Sequence, residues 1–176
     1  MPYLVKEAIK FATEVHERID HRRKYSGQPY AVHLDQVAKI VASVTNNQEM
    51  IAAAWLHDSV EDTSATFDEI ERTFNASVAQ LVRELTDVSK PSDGNRAARK
   101  AIDREHLSRA SRRGQTIKLA DLVDNCRDIS SHDVQFARIY IKEMEALLEI
   151  LTKADERLLR RARKTMERSL SHVIRT

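Results

Sequence analysis

Residues 57–62 read His57-Asp58-Ser59-Val60-Glu61-Asp62, which concentrates one imidazole and three carboxyl groups in a short stretch of chain. If one helix runs through them, Ile51, Ala54 and Trp55 mark its inward face, Asp58 and Asp62 continue on the axis of that face, and His57 and Glu61 lie at its edge. A buried carboxylate without a partner is costly, so a core face that turns acidic must recruit a metal or a set of basic groups. The metal is the favoured expectation. Four side chains are its candidate ligands: His33, His57, Asp58 and Asp121. Imidazole nitrogens mixed with carboxylate oxygens suit Mn²⁺, Fe²⁺ or Zn²⁺, whereas an all-oxygen set would suit Mg²⁺ or Ca²⁺. Glu61 and Asp62 fall one turn beyond His57 and Asp58, where they could orient or deprotonate water. A metal that acidifies its water, with carboxylates to take the proton, attacks phosphorus or an acyl carbon. The pattern favours hydrolysis over redox chemistry.

The elements that must position these groups read as helices almost throughout. The chain has 176 residues, 41% of them hydrophobic, but only three glycines and three prolines, which favours an all-α fold with one closed core. Leu4, Ala8, Phe11, Ala12 and Val15 set a helical period over about residues 4–20. A basic loop, residues 21–30, then holds Gly27 and Pro29 and leads into a helix that begins near His33 and carries Leu34, Val37, Ala38, Val41 and Val44. Thr66 with Glu69 predicts a capping box for a short helix through Phe74, and Val78, Leu81, Val82 and Leu85 predict another. After a break at residues 91–94 comes a basic segment, residues 95–113, which Gly114 is expected to end. A helix from about Thr116 has Leu119, Leu122, Val123, Cys126 and Ile129 as its stripe. Two long helices follow, one lined by Tyr140, Ile141, Met144, Leu147, Leu148 and Leu151, the other by Leu158, Leu159, Ala162, Met166 and Leu170. No repeat or linker divides the chain, so residues 1–176 are expected to form a single domain.

Taken in order, the motifs resemble a known family. Arg23-Lys24, Gly27, Pro29-Tyr30, His33, the run Ala53-Ala54-Trp55-Leu56-His57-Asp58-Ser59-Val60-Glu61-Asp62-Thr63, Leu85-Thr86-Asp87-Val88 and Ile117-Lys118-Leu119-Ala120-Asp121-Leu122-Val123-Asp124-Asn125 are similar to the HD-superfamily hydrolase domain of the RelA/SpoT homologues. With no sequence left over for a synthetase or regulatory domain, the likeness is to the stand-alone, Mesh1-like small alarmone hydrolases. The resemblance implies an HD bundle of about eight to ten helices, one Mn²⁺ ion, and removal of pyrophosphate from the 3′ position of guanosine tetra- or pentaphosphate. It implies His33, His57, Asp58 and Asp121 as metal ligands, and Glu61 and Asp62 as the groups that activate or steer water. Arg23 and Lys24 would embrace the base and phosphates, Asn125 the sugar, and Tyr140 the ribose. Leu34 stands where the family often has proline, and Leu122, Val123 and Asp124 where many members have tyrosine or lysine; neither departure removes a ligand.

Plainer readings compete residue by residue. His57-Asp58 with Glu61-Asp62 could be a solvated helix end paired with arginines, but such a face should not continue an apolar stripe. Taken alone, His33 would be a helix-start or satisfied core histidine, Asp121 a surface acid and Asn125 a local polar contact. Arg22, Arg23 and Lys24 would merely solvate a loop unless an anion is near. The segment 95–113 interleaves Asp93, Asp103 and Glu105 with its arginines, so a solvated helix or flap is expected there. Cys126, the single cysteine, reads as core and points to a reducing, cytoplasmic setting. No run is apolar enough for a signal peptide or a membrane span. Net charge is +2, which gives no mandate for nucleic acid. Rival readings are an HD phosphohydrolase acting on a dNTP, a nucleoside monophosphate or NADPH, a nucleic-acid-binding helical module, and a sensor that binds alarmone without cutting it. A homo-oligomer is left open.

Overall fold

Few glycines and prolines leave the backbone few places to stop. In the computed structural model, which describes residues 1–175, helix is accordingly the only regular structure apart from one isolated bridge, Arg22 to Pro29. The chain divides into two compact units, Met1–Thr86 and Asp87–Thr176. The first holds α1 (Tyr3–Glu17), α2 (Ala31–Ala42), α3 (Gln48–Leu56), α4 (Ser59–Asp62), α5 (Phe67–Thr73) and α6 (Ala76–Leu85). The second holds a 3-10 turn (Pro91–Asp93), α7 (Arg96–Arg109), α8 (Arg112–His132), α9 (Val134–Ile150) and α10 (Glu156–Arg175).

At the centre of the first unit stands α3, which packs against α1, α2 and α6. Met50, Ala52, Ala53, Ala54, Trp55 and Leu56 are all buried, so this helix is apolar all round rather than along one stripe, as a fully enclosed helix must be. Its alanines let three neighbours approach closely. The helix does not run on to Asp62: α3 ends at Leu56, His57 and Asp58 form a turn, and α4 begins at Ser59. That corrects the single helix expected across residues 51–62. Asp58 takes φ −99° and ψ −1°, the bridge region in which active-site residues are often found. The first helix also stops sooner than its apolar period, at Glu17 rather than Asp20.

Polar side chains start most of the helices. Asn47, Thr66, Asn75, Asn95, Ser111 and Asp133 each accept a hydrogen bond from a backbone N–H inside the turn that follows, satisfying groups a helix start otherwise leaves bare. Ser111 accepts from Gly114 N at 3.1 Å, which places Gly114 inside the first turn of α8. Gly114 therefore does not end the basic segment, which instead turns at Ala110 and Ser111.

In the second unit α8, α9 and α10 pack on one another and α7 packs on α9. Gln115 is buried; its amide donates to the carbonyls of Leu107 and Ser108 while its Oε1 accepts from Lys153 N at 2.9 Å, tying the α7–α8 turn to the α9–α10 loop. The buried face of α10 comprises Leu158, Ala162, Thr165, Ser169 and Val173. Leu159 and Met166 are only half-buried and Leu170 is exposed. The expected apolar stripe is thus rotated, because small polar residues sit against α8, with Cys126 Sγ 3.3 Å from Ser169 Oγ.

Asp103 is the one fully buried acid of α7. Its carboxylate accepts from Val88 N, Ser89 N and Ser89 Oγ at 3.0, 2.9 and 2.8 Å. Burial pushes its pKa up, but the Ser89 and Val88 donors outweigh that, and the net shift is downward. A carboxyl group depressed on folding contributes stability above its unfolded pKa near 4 and loses it as pH falls through the folded value. Replacing Asp103 by Asn should cost about 2–3 kcal/mol in urea unfolding at pH 7, since it removes charge-assisted acceptors from three donors. The gap between wild type and variant should shrink as the pH drops below about 4.

Candidate metal centre and active site

Because α3 is enclosed, the turn at its C-terminal end is delivered against the core. His57 is 2% exposed there, and its Nδ1 lies 2.8 Å from the Ala54 carbonyl. A carbonyl can only accept, so Nδ1 carries a proton, and in the neutral ring Nε2 presents a lone pair. That Nε2 is 3.1 Å from Asp58 Oδ2. From α2 comes His33, also buried, with Nε2 3.7 Å from the same oxygen. His33, His57 and Asp58 each offer a ligand atom within 4.8 Å of the others. A lone pair facing a carboxylate at hydrogen-bond distance repels it unless positive charge sits between them. Two imidazole nitrogens and one carboxylate oxygen converging in this way fit a divalent cation of intermediate hardness.

Tyr30 fixes the carboxylate. Its hydroxyl donates to Asp58 Oδ2 at 2.6 Å, and its ring stacks on His21 with centroids 3.8 Å apart and planes 9° apart. The loop that carries both is closed by its own backbone: Tyr30 N donates to His21 O, Arg23 N to Gln28 O and Gly27 N to Arg23 O. Gly27 has φ +68°, a left-handed conformation that glycine adopts freely. His16, from α1, is buried with Nδ1 2.9 Å from His21 Nδ1. Burial, then His21, push the His16 imidazole down to about 4, and burial lowers His21 as well. Both rings are thus disfavoured as cations. The motif reading did not assign functional roles to His16, His21 and Tyr30. The signal was there in a histidine on the apolar Ala8, Ala12, Val15 face and in a tyrosine three residues before His33.

Glu61 and Asp62 project from α4 with exposed side chains. Asp62 is one-third exposed and its Oδ2 lies 4.0 Å from His21 Nδ1. Desolvation, then the charges of Asp58 and Glu61, push its carboxyl up to about 7. The two members of the Arg23-Lys24 pair diverge: Arg23 is buried at 8% exposure, whereas Lys24 is exposed with Nζ 5.0 Å from the Tyr25 ring centre.

The second unit holds the remaining expected residues. Asp121 on α8 is buried; its Oδ2 pairs with Lys118 Nζ at 2.8 Å and its Oδ1 accepts from Asn125 Nδ2 at 2.6 Å. Tyr140 on α9 is half-buried, and burial followed by the charge of Asp121 raises its hydroxyl well above the usual value. Asp121, Asn125 and Tyr140 therefore belong to one neighbourhood, with Lys118 as a member that sequence reasoning left without a role.

Comparison with known proteins supplies the context. The family model described as HD domain matches residues 8–149. The guanosine-3′,5′-bis(diphosphate) 3′-pyrophosphohydrolase MESH1 of Danio rerio is 39% identical over 127 residues, covering 70% of this chain and 68% of the relative. Its Homo sapiens counterpart is 36% identical over 126 residues, with the same coverage of 70% and 68%. A solved structure, described as a metazoan ortholog of SpoT that hydrolyses ppGpp, superposes with a TM-score of 0.84 at 28% identity and covers 96% of both chains.

Changing Tyr30 to Phe deletes only the hydroxyl that orients Asp58. Calorimetric titration with a divalent metal should show affinity about 10–100-fold weaker than wild type, the usual cost of losing an outer partner of a ligand. Far-UV circular dichroism should be unchanged. Equal affinity would mean that the hydroxyl does not orient a ligand.

Proposed function

The chain belongs to the HD domain family, and from that premise we propose that it hydrolyses guanosine tetra- and pentaphosphate at the 3′ position. The products are GDP or GTP and pyrophosphate. The observation that carries the proposal is the convergence of His33, His57 and Asp58 in a chain whose similar proteins bear the 3′-pyrophosphohydrolase name. The family match passes through both compact units, which supports treating residues 1–176 as one HD hydrolase domain. For location we propose the cytosol, on the single buried cysteine Cys126. Among the described residues no helix is long and apolar enough to cross a membrane.

His33, His57 and Asp58 hold the ion in this reading, and Asp121 is proposed as the further ligand from its motif position alone. Mn²⁺ is the metal proposed, in keeping with mixed imidazole and carboxylate donors. When bound, such an ion supplies Lewis acidity and lowers the pKa of water. Glu61 and Asp62 orient the attacking water and take its proton. The water oxygen bonds to the phosphorus carried by the 3′-oxygen, the bond from that phosphorus to the 3′-oxygen breaks, and the 3′-oxygen leaves as a hydroxyl after gaining a proton. A carboxyl group raised to about 7 is matched to such exchange near neutral pH. Arg23 and Lys24 are proposed to hold the base and phosphates, Asn125 the sugar and Tyr140 the ribose; charge and motif position support these roles.

Purified protein incubated with guanosine tetraphosphate and Mn²⁺ should release GDP and pyrophosphate in equal amounts, EDTA should stop turnover, and added Mn²⁺ should restore it. No turnover with any divalent metal would defeat the substrate assignment. Asp62→Asn should lower kcat by about 10²–10⁴-fold, the usual worth of a general base. As a base Asp62 must be ionised, so kcat/KM should rise with pH along a limb at or below about 7, a nearby cation pulling it downward. The variant should lose that limb.

A further inference from the structure

The whole-chain charge of +2 conceals a strong division. Residues 1–86 carry nine Lys and Arg against thirteen acids, whereas residues 87–176 carry twenty against fourteen. Most of that excess lies on α10, which has seven cations, Arg157, Arg160, Arg161, Arg163, Lys164, Arg168 and Arg175, and two acids, Glu156 and Glu167. At about 100° per residue, Arg157, Arg161, Lys164, Arg168 and Arg175 fall within about 60° of arc and form a straight stripe about 27 Å long. Glu156 lies well round from it, Glu167 borders it beside Lys164, and Arg157 at its start pairs with Asp155 at 3.2 Å.

Several observations separate this stripe from an ordinary solvated face. Lys164, Arg168 and Arg175 are exposed and make no ion pair or hydrogen bond with the described residues. Beside the stripe, α8 contributes the exposed Arg127, close enough that it adds to burial in lowering the Arg161 pKa. The two guanidinium groups thus sense each other's charge, which a nearby anion would offset. Six of the seven cations are arginine, whose fork matches phosphate oxygens.

We propose that α10, with Arg127, binds the phosphodiester backbone of double-stranded DNA, without reading its sequence. A membrane surface fits poorly: an interfacial helix inserts a broad apolar face, whereas α10 buries most of its own against α8 and α9 and exposes only Leu170 and Ile174, on the side away from the stripe. Single-stranded nucleic acid fits poorly as well, since α10 has no Phe, Tyr or Trp to serve as a stacking platform and His172 is its single ring. A straight cationic helix suits the wide major groove of B-form DNA and its flanking phosphates, whereas the A-form groove is too narrow. Charge complementarity alone drives the contact, so it is reversible by salt.

Fluorescence anisotropy of a labelled duplex of about 25 base pairs, titrated with the full chain, tests the proposal. Four or five phosphate contacts predict an affinity that falls on the order of 10²-fold between 50 and 200 mM NaCl. The triple reversal Lys164→Glu, Arg168→Glu, Arg175→Glu should weaken binding at least tenfold, with thermal unfolding and guanosine tetraphosphate hydrolysis unchanged. The matched reversal Arg104→Glu, Arg109→Glu, Arg112→Glu, on α7 and the first turn of α8, should weaken it far less. No binding at 50 mM NaCl would overturn the proposal, as would equal losses in the two reversals or tighter binding to single-stranded RNA or to phosphatidylserine vesicles. Hydrolysis plays no part in the readout, so the proposal stands or falls apart from the catalytic assignment.

Discussion

One carboxylate oxygen, Asp58 Oδ2, accepts the Tyr30 hydroxyl at 2.6 Å while two imidazole nitrogens face it at 3.1 and 3.7 Å. With the His57 proton committed to the Ala54 carbonyl, Nε2 and Oδ2 meet as two electron-rich atoms in a poorly solvated place. Such a meeting is tolerable only with a cation, or a second proton on the ring, between them. The surrounding structure serves that requirement. The enclosed, apolar body of α3 fixes where the turn emerges, α2 brings His33 to it, and a loop closed by its own hydrogen bonds brings Tyr30.

The geometry depends on α3 ending where it does. Were the helix continuous through Asp62, His57 and Asp58 would diverge by about 100° and a common ion would have to lie close to the helix surface. The turn at His57 and Asp58 frees the carboxylate to swing toward its own neighbour in sequence. It also gives Glu61 and Asp62 a short helix of their own, α4, that packs on α1. The proposed ligands His57 and Asp58 therefore sit at the rigid end of a core helix, and Glu61 and Asp62, the acids proposed to handle protons, sit on a shorter, more exposed one. Rigid donors and accessible acids suit a site in which the ion must stay and the substrate must exchange.

Much of this was legible in the sequence, for definite reasons. Helix content followed from the scarcity of breakers, and the His33, His57, Asp58 cluster followed from residue type and order, because a buried acid beside imidazoles has few stable alternatives. The break at His57 was hidden because residues 51–62 keep an approximate helical period across it, and periodicity does not register one turn of altered φ and ψ. Gly114 was misread as a stop because a glycine satisfied by a serine cap looks, in sequence, like a glycine after a helix. On α10 the stripe of Leu159, Met166 and Leu170 yielded to Thr165 and Ser169: tight packing against α8 rewards small side chains, which no hydropathy pattern marks. Tyr30 escaped a functional role because a tyrosine donating to a ligand is indistinguishable, by type alone, from one that packs.

Electrostatics gives the ion a second role beyond its chemistry. Asp58, Glu61 and Asp62 lie within five residues of one another in a unit with four more acids than cations. A nucleotide carrying several phosphates would be repelled by these carboxylates as a group, and after desolvation the same repulsion helps to raise the Asp62 pKa. A divalent cation offsets two of the three charges. With such a cation bound, a polyanion's approach would be less opposed and Asp62 would be favoured in its ionised form, the form able to take a proton from water. On this argument, metal loading and the affinity for a phosphate-rich substrate would be linked through charge before any bond is made or broken, and the acids that would repel such a substrate are the same ones proposed to act on it.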